Sequence, residues 1–559
     1  MAAMRTRRWR IWSAAVSAAA LLLAAGCTGD KGGPPVTASS PPPAVSTEDT
    51  LVFAMGQIRI LDPALSPDAE SLRVTRQVLE TLVQAEPGGA VAAPGLAETF
   101  SVDGTGTVWT FRLKRGVTFH DGTALDAAAV CANFDRWYRL PAALQAGDIS
   151  AAWQAVFGGF AKNASSRLGA SLFKSCTARD PATAEIALTR ASSRFPAAFT
   201  LPSFAISSPQ ALREQAADKP AGGSRYPAYG NKPVGTGPYR FVSWDKAARK
   251  VELEAFDGYH GTAAKVQHLI FQTVEAGLRK QALLDGKIDG YDLVAVEDRK
   301  PLAEQGFHVL TRPAFNTLYL GINQRGNPAL AKPEVRQAIA YAVDRQRLVA
   351  EAFPDGAKLA LNFHPELLPG WNPDVAAYPH DPAKAKELLA AAGYGSGLKL
   401  RFHYPRNVTR PYLPDPKKIF ELLAADLRAA GIEVEGVELR WTPDYLNAVA
   451  KGTAHDLHLY GVTGNYGEAY DFMGQLFAAP NAEFGVTDAD LFARLKTVDG
   501  IGDPVQRRPL YEQLNARLLE LLPAVPLVHG PDALVLDKNL TGITPSPLTD
   551  EDFAAALFT

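Results

Sequence analysis

Two segments in the second half of this chain constrain its fold more than any others. Asp381-Pro382 pairs a helix-capping side chain with a proline at the first helical position, and Gly393 follows where a helix ends in the left-handed region. Over 417–430 the design returns, with Ile419, Leu422, Leu423 and Leu427 on one face and Gly431 after it. Each helix leads into a strand-like stretch, 398–403 and 432–439. Helix and strand alternating in this way require an α/β architecture, with helices covering the faces of a sheet. A further helix is predicted over 333–353, where Val335, Ile339, Ala342, Val343 and Val349 fall near one face.

The first half adds strands. Residues 107–113 alternate β-branched, aromatic and polar side chains, and 185–189 and 240–244 read the same way. Asp126 reads as the N-cap of a helix carrying Val130, Phe134 and Trp137. One hydrophobic core stops growing at about 250–300 residues. A chain of 559 residues is therefore expected to divide into two or more lobes. No later run approaches the roughly 18 apolar residues of a membrane span, so the body of the chain is read as non-spanning.

Residues 1–26 have the build of an export signal: four arginines up to Arg10, an apolar run over 11–25, then small residues. Leu23-Ala24-Ala25-Gly26-Cys27 resembles a bacterial lipobox, which implies that Cys27 is the lipidated first residue of the mature protein. The alternative is an ordinary signal peptide containing a cysteine. Residues 27–49, rich in Pro, Gly and Ser, cannot bury enough surface to fold and read as a tether. Cys131 and Cys176 are left over. Oxidising conditions outside the cell favour a disulfide between them over two separately buried thiols.

The formal net charge of −2 becomes more negative once the leader and its arginines are removed, which argues against a nucleic-acid partner. No GxSxG elbow, HExxH or phosphate-binding loop is present, so the chain reads as a non-enzyme. Neither a cofactor nor a metal site is expected. His455 and His458 would share a face only if their segment were helical, and one such pair does not make a metal site.

Whole segments then become recognisable. Pro94-Gly95-Leu96-Ala97-Glu98 leads into WTFRLKRGVTFHDG over 109–122. Further along come PVGTGPY over 233–239, LDGKID over 284–289, the PEVRQA…VDR stretch over 333–345, the helix over 381–393, and 511–527. In this order they resemble the family 5 extracellular solute-binding proteins, which serve peptide and related ABC importers. The resemblance implies a two-lobed Venus-flytrap fold with an inserted domain. Lobe I would comprise 50–86, 180–312 and 524–559, the inserted domain 87–179, and lobe II 313–523. Trp109, Phe111 and Phe119 are expected in the core, and Arg336 and Asp344 in structural pairs or caps.

It also implies a monomeric, membrane-tethered, extracytoplasmic receptor that closes on a solute and delivers it to a permease. In a cell with an outer membrane it would be periplasmic. An oligopeptide or dipeptide is the expected solute; a sugar, metal chelate, opine or antibiotic-like molecule is the alternative, and a secreted hydrolase on a lipid anchor is the third reading. Peptide binders of the family carry an aspartate in the loop after a lobe II strand, here 456–460. The corresponding residue in this loop (461–471) is Asn465, a neutral acceptor that makes a weaker bond than a carboxylate. Tyr466 lies beside it, and Glu468 and Asp471 are nearby sources of charge. Other cleft candidates are Asn316, Thr317 and Tyr319; Tyr404, Arg406 and Arg410; Trp441 and Tyr445; and Glu70 and Ser71.

Overall fold

A computed structural model describes residues 49–66, 68–220, 222–452 and 454–559. The expected leader, Cys27 and all but the last residue of the tether lie outside the described residues. Three principal sheets organise the rest. The first has seven strands in the order His308–Thr311, Ala533–Leu536, Gly290–Tyr291, Thr50–Met55, His268–Thr273, Lys250–Ala255, Tyr239–Asp245. The second has six: Lys358–Leu359, Ala524–His529, Asn316–Ile322, Leu457–Thr463, Leu398–Arg406, Ile432–Arg440. A four-stranded antiparallel sheet is built from Ala97–Val102, Val108–Leu113, Thr183–Leu188 and Phe173–Asp180.

The helix–strand unit over 417–439 is one half of a β–α–β crossover. Leu398–Arg406 and Ile432–Arg440 pair in parallel along their whole length. The Pro416–Ala429 helix connects them, capped by Asp415 and followed by Gly431 at φ +89°. Ile419, Leu423 and Leu427 are buried, and Leu422 is half-buried. The helix predicted over 333–353 is two helices, Pro333–Ala342 and Arg345–Ala352. Val343 is extended there, and the Asp344 carboxylate accepts the Arg347 N–H at 2.9 Å, which starts a new helix. Arg336 donates to the carbonyls of Leu330, Ala331 and Leu521.

Trp109, Phe111 and Phe119 are buried in the core of the four-stranded sheet. One face of that sheet carries the Ala127–Tyr138 helix, capped by Asp126. A Cys131–Cys176 disulfide ties helix to sheet, with Cα atoms 5.2 Å apart. Gly235 and Gly237 lie against the end of the Ala69–Val78 helix. A Cβ on either would stand 2.3 Å from the Val78 oxygen or 2.6 Å from the Gln77 oxygen.

Two expected boundaries move. Ala524–His529 pairs with Asn316–Ile322 in the six-stranded sheet, so the return to lobe I comes after residue 529 rather than 523. The four-stranded sheet needs Thr183–Leu188 as an inner strand, so it continues past residue 179. The strand expected over 456–460 runs from Leu457 to Thr463, which shortens the loop that follows. His458 is on this strand and His455 is in the irregular segment before it, so the pair shares no helix.

The chain crosses between the seven- and six-stranded sheets twice, at 312–315 and at 530–532. Asn316 joins the crossings: its side-chain amide donates to the Gly530 carbonyl at 2.8 Å, and its oxygen accepts the Gly530 N–H at 3.0 Å. Beside them lies a buried ion network. Arg312 contacts Asp292, Glu551 and Asp532, and Arg73 contacts Asp292 and Glu551. Burial pushes the Asp292 carboxyl up, but Arg73 and Arg312 outweigh it and hold the group down at about 2.

Candidate functional site

A cavity of about 650 Å³ opens between the lobes, within the range of small-molecule sites. Each wall comes from a different stretch of chain. The Ala69–Val78 helix, whose N-cap Asp68 accepts the Ser71 N–H at 2.8 Å, contributes Leu72, Arg73 and Arg76. The Ala151–Phe157 helix contributes a smooth face of Ala151, Ala152, Ala155 and Val156. Lobe II contributes the segment from Gly464 into the Ala469–Phe477 helix. A Cβ on Gly464 would stand 2.4 Å from the Phe315 ring and 2.5 Å from that of Phe472, so only glycine lets the chain turn here.

Both signs of charge line this space. Arg76 pairs with Asp550 at 2.9 Å and donates to the Thr200 carbonyl at 3.3 Å. Arg194 has a looser tie, 3.8 Å from Asp499. Opposite stands Asp471, only 6% exposed. Its carboxylate accepts the Asn465 backbone N–H, both oxygens lie 3.2 Å from the Asn465 side-chain amide, and the Gln475 amide is 3.2 Å from one of them. Among the described residues no cation pairs with it. Burial pushes its pKa up to about 6 against the pull of these hydrogen bonds.

Of the expected ligand contacts, Asn465, Tyr466 and Asp471 line the cavity. The rest do not. Glu468 is buried in an ion pair with Arg507 at 2.5 Å. Asn316 holds the crossings together, and Thr317 Oγ1 donates to the Phe363 carbonyl at 3.1 Å. Tyr319 is buried with its hydroxyl donating to Glu483 at 2.7 Å. Tyr404 stacks on Phe420 at 4.1 Å, and Arg406 is exposed, 3.6 Å from Glu438. Arg410 sits 5.7 Å above the Trp441 ring, which stacks on Tyr445 at 5.8 Å.

Glu70 accepts the Gly56 N–H at 2.9 Å and Ser71 Oγ accepts the Arg59 N–H at 2.9 Å, so both serve the loop before their helix. From the same helix it is the neighbouring positions Arg73 and Arg76 that face the cavity. Arg73, Arg76, Arg194 and Asp550 went unnoticed in the sequence. Only the arginine pair, three apart on an amphipathic helix, left a local signal.

The model of the bacterial extracellular solute-binding proteins, family 5 (middle part), matches residues 92–484. The chain belongs to this family. Its fold is that of the family 5 periplasmic binding proteins, with two lobes about a cleft. The family 5 chain is 27% identical over 488 residues to the dipeptide-binding protein of Escherichia coli (strain K12), covering 84% of this chain and 87% of the relative. It is 26% identical over 524 residues to heme-binding protein A of Haemophilus influenzae, covering 91% and 92%. Among solved structures, HbpA2 from Haemophilus parasuis superposes with a TM-score of 0.80 at 25% identity, covering 91% of this chain and all of the other. Among the described residues no helix is long and apolar enough to cross a membrane.

Proposed function

We propose that this family 5 protein is the receptor of an ABC importer that captures a dipeptide or similarly small zwitterion. Cys27 would carry the lipid that keeps it beside its permease on the outer face of the cell membrane. The observation that carries the reading is the cleft, where Asp471, a buried carboxylate with no cationic partner among the described residues, stands among arginines. An α-ammonium group at Asp471 supplies the missing charge, and a carboxylate suits Arg194, the cleft's most loosely held cation. Binding proceeds by lobe closure around the solute, a shift of populations with no covalent step. A non-peptide solute is the second reading, favoured by Asn465, which lowers the negative charge of the loop, and by the heme-binding relative.

Calorimetric titration with L-alanyl-L-alanine, its N-acetyl derivative and haemin separates the readings. The first is expected to bind and the second to lose most of that affinity. Equal binding of both dipeptides, or binding of haemin alone, would overturn the peptide reading. For the anchor, the Cys27→Ala variant is expected to appear in the soluble fraction of cells whose parent protein sediments with membranes.

A further inference from the structure

Lobe II meets the four-stranded unit directly at several places, three of which bear on its closure. Asp499 ends the Ala489–Asp499 helix of lobe II, and its carboxylate accepts from Ser193 Oγ at 3.0 Å, Ser192 Oγ at 3.3 Å and Arg190 at 3.0 Å. Its carbonyl accepts the Ser193 N–H at 2.8 Å. Ser192, Ser193 and Asp499 are all buried. At the second place, Gly106, in the turn between Ala97–Val102 and Val108–Leu113, meets Gly502 backbone to backbone. A Cβ on Gly502 would stand 2.7 Å from the Gly106 Cα. At the third, Tyr466 sets its ring into the apolar core of the four-stranded unit, and Gly467 lies so close to Ala90 that a Cβ would come within 1.7 Å of its oxygen.

We propose that these contacts form a closure latch centred on Asp499, which sets the resting separation of the lobes whatever solute the cleft takes. Three observations support it independently. Buried serines donate to a carboxylate on the other lobe, and such charge-assisted bonds are stronger than neutral ones. The two facing glycines permit a backbone approach that no side chain would allow. Finally, Ser192, Ser193, Asp499, Gly106 and Gly502 do not line the cavity, so the Asp499 and glycine contacts act on lobe position and not on solute contacts. Arg194, which lines the cavity and stands 3.8 Å from Asp499, and Tyr466, which lines it beside Asn465, connect the latch to the cleft.

The test needs no ligand. Small-angle X-ray scattering of the full chain without added solute gives the radius of gyration of the parent and of two variants, one per side of the latch. Ser192→Ala/Ser193→Ala removes donors from the four-stranded unit, and Gly502→Val wedges the glycine contact from lobe II. Each is expected to show a small increase in radius with the near-ultraviolet circular dichroism retained, far below the severalfold expansion of an unfolded chain. An unchanged radius in a variant that keeps its dichroism would overturn the latch. If one variant loses its tertiary signal, the other decides the question alone.

Discussion

Asp471 is the residue at which electrostatics and solute chemistry meet most directly. A carboxyl near 3.9 in an unfolded chain stands at about 6 in the folded protein because burial disfavours its charge. A raised carboxyl contributes stability below its unfolded value, and that contribution is lost as pH rises through the folded value. Asp471→Asn is therefore expected to raise the stability of solute-free protein at pH 7, on the order of 2 kcal/mol, with no gain at pH 4. His364 and His529 act the other way. Burial depresses both to about 4, so their contribution is present above about 6.5 and lost as pH falls toward 4. Comparing parent and variant by urea unfolding at each pH cancels the histidines and isolates Asp471. For a solute bearing an ammonium, the parent's affinity should increase as pH rises through about 6, and the variant's should stay flat. The sequence pointed to this loop and to the absence of charge at 465. It left Glu468 and Asp471 equivalent, because only the structure shows Arg507 neutralising the former.

Among the elements, local chemistry was most legible where it closes on itself. Asp126 and Asp381 each cap the helix that follows, and that pattern spans only a few residues. The division at Val343–Asp344 was missed because the apolar face continues across it; the N–H of Asp344 is bound instead by the Asp426 carboxylate at 2.9 Å, from a helix distant in sequence. The disulfide belongs to this scale as well. It closes a loop with a sequence separation of 45, for which the chain-entropy model gives about 4 kcal/mol. A Cys131→Ala/Cys176→Ala variant should lose about 3–4 kcal/mol in urea unfolding, and reductant should destabilise the parent but not the variant. Equal stability of the two under oxidising conditions would show that the bond adds nothing to the packing of helix on sheet.

The whole molecule turns on contacts that no sequence pattern marks. Arg73 and Glu551 are 478 residues apart, yet their side chains meet at 2.8 Å beside both lobe crossings. Helical or strand periodicity reports only on near neighbours, so the sheets were foreseeable and the hinge network was not. Arg73 also lines the cleft, so the network joins the solute-facing helix, the crossings and the C-terminal segment in one buried cluster. Removing one partner of such a cluster leaves an uncompensated buried charge, which costs about 3–5 kcal/mol. Glu551→Gln is expected to lose stability on that scale in urea unfolding, although Glu551 lies at the far end of the chain from Arg73. Replacing Arg73 and Glu551 together with apolar residues of similar volume should recover part of the loss, since paired removal leaves fewer stranded charges. A Glu551→Gln protein as stable as the parent would mean that the crossings are held by Asn316 and the sheets alone. The double variant also removes a cation from the cleft wall, so recovered stability with altered solute affinity would separate Arg73's part in the hinge from its part in the cleft.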